Sequence, residues 1–143
     1  SFSAAYLPGS GRREPSDYTP ELSRKARGVE VWAALRSLGR AGLEALIERC
    51  CRHARRFADG LSEAGFEVLN DVPLNQVMVS FGTPDQTREA IRLIQEDGTC
   101  WCGGTRWQGR TAMRISVCSW ATTGEDVERS LAAMIAAGRA VTA

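Results

Sequence analysis

Arg114 lies in the run 112–118, where Met113, Ile115 and Val117 alternate with Ala112, Arg114, Ser116 and Cys118. That is the period of a half-buried strand: large apolar side chains build a core on one face, and the other face presents an arginine among small residues. A guanidinium is not buried without a partner, so Arg114 reaches solvent, pairs with a carboxylate of the chain, or receives an anionic ligand. Few other side chains offer chemistry. Seventeen arginines and one lysine make up the 18 basic residues, so Lys25 is the only side-chain amine. The five cysteines, at 50, 51, 100, 102 and 118, include no Cys-x-x-Cys, and His53 is the only histidine. Cys50 and His53 share a helical face and Cys100 and Cys102 a strand face, but neither spacing is that of a zinc set. The thiols read as reduced packing cysteines of a cytoplasmic protein, and no metal is expected.

The elements that must position these residues follow from turn signals and periodicity. Residues 8–20 are rich in turn formers and read as a loop. Thr19, Pro20 and Glu21 supply an N-cap, an N1 proline and a first-turn acid. The helix they open buries residues 22, 26, 29 and 33 and becomes apolar nearly all round from Val29 to Leu35. That is more surface than a chain of this size readily covers, so a missing domain or a partner subunit is expected against it. Gly39 and Gly42 break the helix. A second helix carries Leu43, Leu46, Ile47, Cys50, Ala54, Phe57, Ala58 and Leu61 at 3-4 spacing and closes at Gly65. Its outer face holds Arg49, Arg52, Arg55 and Arg56 with Glu44 and Glu48 interleaved, which reads as a solvated helix face and not a basic patch.

Beyond Gly65 the period falls to two. Strands are expected over 66–69 and 76–81, paired antiparallel about a turn at Asp71, Val72 and Pro73. Thr83 to Gln86 has the form of a capping box for a helix striped by Thr87, Ala90, Ile91 and Ile94 and ended by Gly98. The same grammar then repeats, with strands at 99–102 and 112–118 around a Gly103-Gly104 turn and the 107–110 segment. Thr122, Thr123, Gly124 and Glu125 cap a last helix striped by Val127, Leu131, Met134 and Ile135. The fold class is α+β: two N-terminal helices followed by tandem ββα units, whose four-stranded, mainly antiparallel sheet is covered by helices on one face. Arg114 leaves from the other face. The expected divisions are a loop over 1–20, linking helices over 21–64 and a small C-terminal domain over 65–143.

A net charge of +1 gives no bulk field to attract nucleic acid or an anionic membrane, and neither is expected as a partner. No apolar run is long enough to span a bilayer. The opening residues, Ser1 to Leu7, have neither a charged n-region nor a sustained apolar h-region, and they read as a chain entered partway.

The run Leu22, Ser23, Arg24, Lys25, Ala26, Arg27, Gly28, Val29, Glu30, Val31, Trp32, followed by Leu35, Arg36 and Gly39, resembles the helix that links the two domains of pyridoxal-phosphate-dependent group II decarboxylases. The branch is that of the aromatic-L-amino-acid decarboxylases, of fold type I. Met113 to Ser119 resembles the family's last strand, and the Tyr18-Thr19-Pro20 approach and the order of elements agree from about Phe2 to Met134. The resemblance implies a lyase, a carboxy-lyase of amino acid metabolism that is cytoplasmic, homodimeric and dependent on pyridoxal 5'-phosphate. It also implies a large preceding domain that supplies the Schiff-base lysine, the aspartate for the pyridine nitrogen and the histidine stacked on the ring. Those motifs are not in this sequence. The family's lysine follows a histidine, whereas Lys25 sits between Arg24 and Ala26. The expectation is a C-terminal domain that lacks its N-terminal large domain, carries no catalytic residue, binds no cofactor by itself and is inactive alone.

Two residues take roles from the resemblance. Arg114 is the substrate-binding arginine near the active-site mouth, where it anchors or orients the amino acid. Ser23 occupies a position that approaches the cofactor phosphate of the neighbouring subunit; the family often has glycine there, which implies a backbone contact. Trp32, Trp107 and Trp120 read as core or domain-interface packing. Two readings compete: a stand-alone ferredoxin-like ligand-binding or regulatory domain with the Arg114 face as its pocket, and a nucleic-acid surface at Thr105 to Arg110, where an aromatic is flanked by arginines. Balanced charge counts against the second. The two long N-terminal helices count against the first.

Overall fold

The computed structural model describes Tyr18 and residues 25–143. Among these residues the chain opens with one helical element, α1 (Arg27–Glu63), where two helices were expected. No loop separates its halves. The interruption is confined to Gly39, whose φ of 61° and ψ of −173° depart from the helix for a single residue. Glycine adopts that conformation without a Cβ penalty; Gly42 continues as helix. The expected start at Thr19 to Glu21 lies outside the described residues.

Two compact units divide the chain at the same place, Ser1–Gly39 and Arg40–Ala143. In the first, Lys25 Nζ lies 2.5 Å from Glu30 Oε1 in an exposed ion pair, and Val29, Val31, Trp32, Leu35 and Leu38 are all exposed. In the second, the 3-4 stripe of α1 buries Cys50, Ala54, Phe57, Ala58 and Leu61. Ile47 remains half exposed, so the core begins one turn later than the periodicity suggests.

After α1 come β1 (Glu67–Val68), β2 (Gln76–Ser80), α2 (Pro84–Asp97), β3 (Gly103–Trp107), β4 (Arg110–Ser116) and α3 (Gly124–Thr142). The strands form one antiparallel sheet in the order β1-β2-β4-β3. Helix α2 has the expected capping box between Thr83 and Gln86 and ends at Gly98, φ 75°. In α3 the box falls one residue later than expected, Thr123 with Asp126. An aspartate at N3 reaches the N-cap amide as a glutamate does.

The third strand is a larger departure. Residues 99–102 form no strand, and Gly103-Gly104 is not a turn but the start of β3. The turn is Gln108-Gly109, both at positive φ (47° and 82°), with Trp107 paired to Arg110 across it. Two consecutive positive φ values match the twist of a tight hairpin, and a glycine is needed there more than in the strand.

Helices α2 and α3 and the second half of α1 lie on one face of the sheet. Val77 and Val79 of β2 and Met113 and Ile115 of β4 share that face in register. They join Leu61 of α1, Ala90, Ile91 and Ile94 of α2 and Val127, Leu131 and Met134 of α3 in a single core. Thr87 is fully buried within it, and its Oγ1 accepts the Phe81 amide proton at 3.1 Å, which removes the cost of an orphaned polar pair.

Candidate functional site

The opposite sheet face is built from residues of the other parity: Glu67, Gln76, Met78, Ser80, Gly103, Thr105, Trp107, Arg110, Ala112, Arg114 and Ser116. Arg114 sits near its middle, with Met78 of β2 on one side and Gly103 of β3 on the other. It is exposed. Of the three fates open to it, an ion pair within the chain is not the one observed: among the described residues, no carboxylate lies within ion-pair distance of it. Among the described residues Glu67 is the only acid on the strands, and Arg110 engages it bidentately, with Nη1 2.7 Å from Oε1 and Nη2 on Oε2. Because β2 lies between β1 and β4, this bridge crosses over β2, and Ser80 beneath it is only 4% exposed. The Arg110 hydrogen bonds, aided by its charge, hold the Glu67 carboxyl below the usual carboxylate range. Arg110 has therefore taken the acid that Arg114 could have paired with.

Beside Met78, the neighbour of Arg114 in register, the same face opens into a cavity of about 690 Å³, lined by Met78, Gln76, Leu69, Trp107, Gln108 and the loop residues Asn70, Asp71, Pro73, Leu74 and Asn75. The loop is held by its two asparagines. Asn70 donates to the Gln76 carbonyl at 3.0 Å and accepts from the Met78 amide at 2.8 Å, and Asn75 donates to the Val117 carbonyl at 2.9 Å. Trp107, from the far strand, lines the cavity together with Met78. The Trp107 Nε1 is buried without a hydrogen-bond partner among the described residues, an arrangement that favours a ligand or protein acceptor above it. Reading Trp107 as packing alone missed this donor. Its place at the end of an edge strand, visible once the Gln108-Gly109 turn is recognised, is the signal for it.

The remaining candidates separate from this face. Ser23 lies outside the described residues. Lys25 is exposed and paired with Glu30, without the desolvated surroundings that a lysine linked to an aldehyde cofactor requires; the described residues therefore do not fit pyridoxal phosphate. All five cysteines are free thiols. Burial pushes the Cys102 thiol up to about 12 and raises Cys100 as well, which keeps both protonated and unreactive. Among the described residues no group of three or more His, Cys, Asp and Glu side chains is placed to hold a metal. The arginines of the supposed nucleic-acid segment are engaged, Arg106 with the Gly109 carbonyl at 3.1 Å and Arg110 with Glu67. The order ββαββα also differs from the βαββαβ order of a ferredoxin-like domain. No helix among the described residues is long and apolar enough to cross a membrane.

Comparison with known proteins gives a consistent result. Residues 1–82 match the pyridoxal-dependent decarboxylase conserved domain. The aromatic-L-amino-acid decarboxylase of Drosophila melanogaster is 27% identical over 111 residues, 76% of this chain and 22% of the relative. The histidine decarboxylase of the same fly is 30% identical over 108 residues, 74% of this chain and 13% of the relative. Among solved structures, Oryza sativa TDC with PLP and tryptamine superposes with a TM-score of 0.77 at 20% identity, over 98% of this chain and 32% of that one. Catharanthus roseus tryptophan decarboxylase in complex with L-tryptophan gives 0.72 at 19% identity, over 82% and 26%. The chain thus spans about a fifth of the length of the first of these relatives.

Proposed function

Because this chain belongs to the pyridoxal-dependent decarboxylase family, we propose that it is the C-terminal domain of a pyridoxal-phosphate-dependent L-amino acid decarboxylase. In the complete enzyme, a large N-terminal domain supplies the lysine that binds the cofactor and the groups that tune it, and the enzyme works as a cytoplasmic homodimer. This chain by itself is inactive. Its contribution is Arg114, which anchors or orients the substrate at the mouth of the active site by a forked pair of hydrogen bonds to a carboxylate. Ser23 reaches toward the cofactor phosphate of the neighbouring subunit. The cofactor provides the electron sink for loss of carbon dioxide.

The observation that carries this reading is the exposed guanidinium of Arg114, which has no ion-pair partner among the described residues, near a cavity lined by Trp107, whose indole N–H has no acceptor among those residues. An exposed arginine held there for stability alone has no acid among the described residues to pair with. The test is release of carbon dioxide from a panel of L-amino acids, with the aromatic ones and histidine included, by the complete protein loaded with pyridoxal phosphate. Turnover of at least one substrate by the complete protein, and of none by this chain, is the expected result; failure of the complete protein on the whole panel overturns the reading.

A further inference from the structure

A second cavity, of about 610 Å³, lies where α1 meets the loop before α3. Arg49, Arg52 and His53 line it from one face of α1, at i, i+3 and i+4, and Trp120, Thr123 and Gly124 line it from the other side. Its eight lining residues include no carboxylate. Arg49 donates from Nη2 to the Trp120 carbonyl at 2.9 Å, which ties the loop to the helix and sets the width of the opening. Arg52 is almost uncommitted: its one ion pair, with Glu48, is 3.8 Å long and exposed. The His53 Nε2 is buried and has no hydrogen-bond partner among the described residues. The fourth wall is the amino end of α3, a helix of 19 residues. There the capping box satisfies the Thr123 and Asp126 amides, and the N–H of Gly124 has no intrahelical acceptor by position. The nearby acid Asp126 does not line the cavity and is held in bonds with Thr123 and Arg129.

A forked cation, a buried ring nitrogen and a helix amino end around one space are the donors that an oxyanion needs. We propose that this cavity binds the phosphate group of a small ligand through Arg52, His53 and the first turn of α3, with Trp120 at the rim. Trp120 is 78% exposed, so its ring is free to stack on a planar group joined to the phosphate. The proposal does not depend on the decarboxylase reading.

Calorimetric titration of the chain at constant ionic strength, with inorganic phosphate and with phenyl phosphate, tests it. Saturable binding at one site with a Kd of about 1 mM or tighter is expected. Arg52→Gln should weaken it about tenfold or more, while Arg55→Gln, an exposed arginine of the same helix outside the cavity, should leave it unchanged. Circular dichroism checks that both variants keep the fold. Tighter binding of phenyl phosphate identifies a phosphate ester as the natural ligand; equal or weaker binding identifies free phosphate, and either order sustains the site. Absence of saturation at about 10 mM, or equal weakening by the two variants, overturns the proposal, the second because it reveals diffuse charge attraction in place of a site.

Discussion

Arg114 owes its availability to an allocation of charge across the sheet face. Had Arg110 not engaged Glu67, the only strand carboxylate would have been open to either arginine. Arg114 instead has Met78 and Gly103 as its neighbours in register, and neither offers an acceptor side chain. In the complete enzyme, Arg114→Lys keeps the charge and loses the fork, so kcat/KM should fall about ten- to hundredfold, about 1.4 to 3 kcal/mol of transition-state stabilisation. The stability of the chain should move by less than about 0.5 kcal/mol, as for a surface residue without a partner. Unchanged kinetics together with a large loss of stability would identify a structural arginine. Asp126 presents the reverse case, a charge wholly committed within the chain. Bonds from the Thr123 backbone and side chain, and then from Arg129, lower its pKa from 3.8 to about 2. A folded-state pKa below the unfolded one means that the contribution is fully present above about pH 4 and is lost as pH falls through about 2. Asp126→Asn should therefore lower the melting temperature at pH 7 and flatten its decline between about pH 4 and pH 2. A variant with the same acid slope as the parent would show that the box is not what titrates.

At the scale of elements, two helix glycines mark where backbones approach closely, and they should not respond alike to a methyl group. A Cβ on Gly138 would meet Phe66 Cζ at 2.4 Å and Phe81 Cδ1 at 2.6 Å. Those two rings are themselves packed edge to face with centroids 4.8 Å apart. Neither has room to retreat, so Gly138→Ala should cost about 1 to 3 kcal/mol in urea unfolding. A Cβ on Gly60 would meet Leu131 Cδ2 at 2.3 Å and Arg56 Nη1 at 2.8 Å, both far ends of side chains with other rotamers. Gly60→Ala should cost less, and a larger cost than at Gly138 would show that Leu131 is pinned. How far such elements are legible in the residues depends on whether the signal is local. Thr83 to Gln86 and Gly98 state the limits of α2 by side-chain and φ preferences that act within a few residues, and the structure agrees there. The alternation of 112–118 states which way Arg114 points, for the same reason. The hairpin turn at 108–109 is not where composition points, because two glycines at 103–104 are a stronger compositional cue than one at 109; pairing with Met113 and Arg114 on β4, which no local rule contains, draws them into a strand. The unpartnered Trp107 Nε1 is less legible still, since it depends on what lies across the sheet.

For the whole molecule, the family match and the exposed surfaces raise the same question of what else the chain meets. In the unit that ends at Gly39, Val29, Val31, Trp32, Leu35 and Leu38 are between 41% and 63% exposed, on a helix whose first described turn has one ion pair, Lys25 with Glu30. Lys25 is the chain's one side-chain amine. Mixed with pyridoxal phosphate, the chain should give no saturable visible absorbance band that survives gel filtration, since a solvated, carboxylate-paired lysine lacks the surroundings that retain the linkage. A retained band abolished by Lys25→Arg would refute both that expectation and the assignment of the cofactor to another domain. The apolar helix has a separate consequence. Contiguous patches beyond a few hundred Å² are seldom left open on monomers, and a patch presented identically by two copies can close on itself about a twofold axis. The chain should therefore sediment as a concentration-dependent mixture of monomer and dimer. Leu35→Glu, placed in the middle of the patch, should shift it to monomer with no loss of the far-ultraviolet signal. A parent that stays monomeric from micromolar to millimolar concentration, and binds no hydrophobic dye, would mean that the patch is too small or too divided to associate, and the proposed contact of this helix with a partner subunit would fall with it.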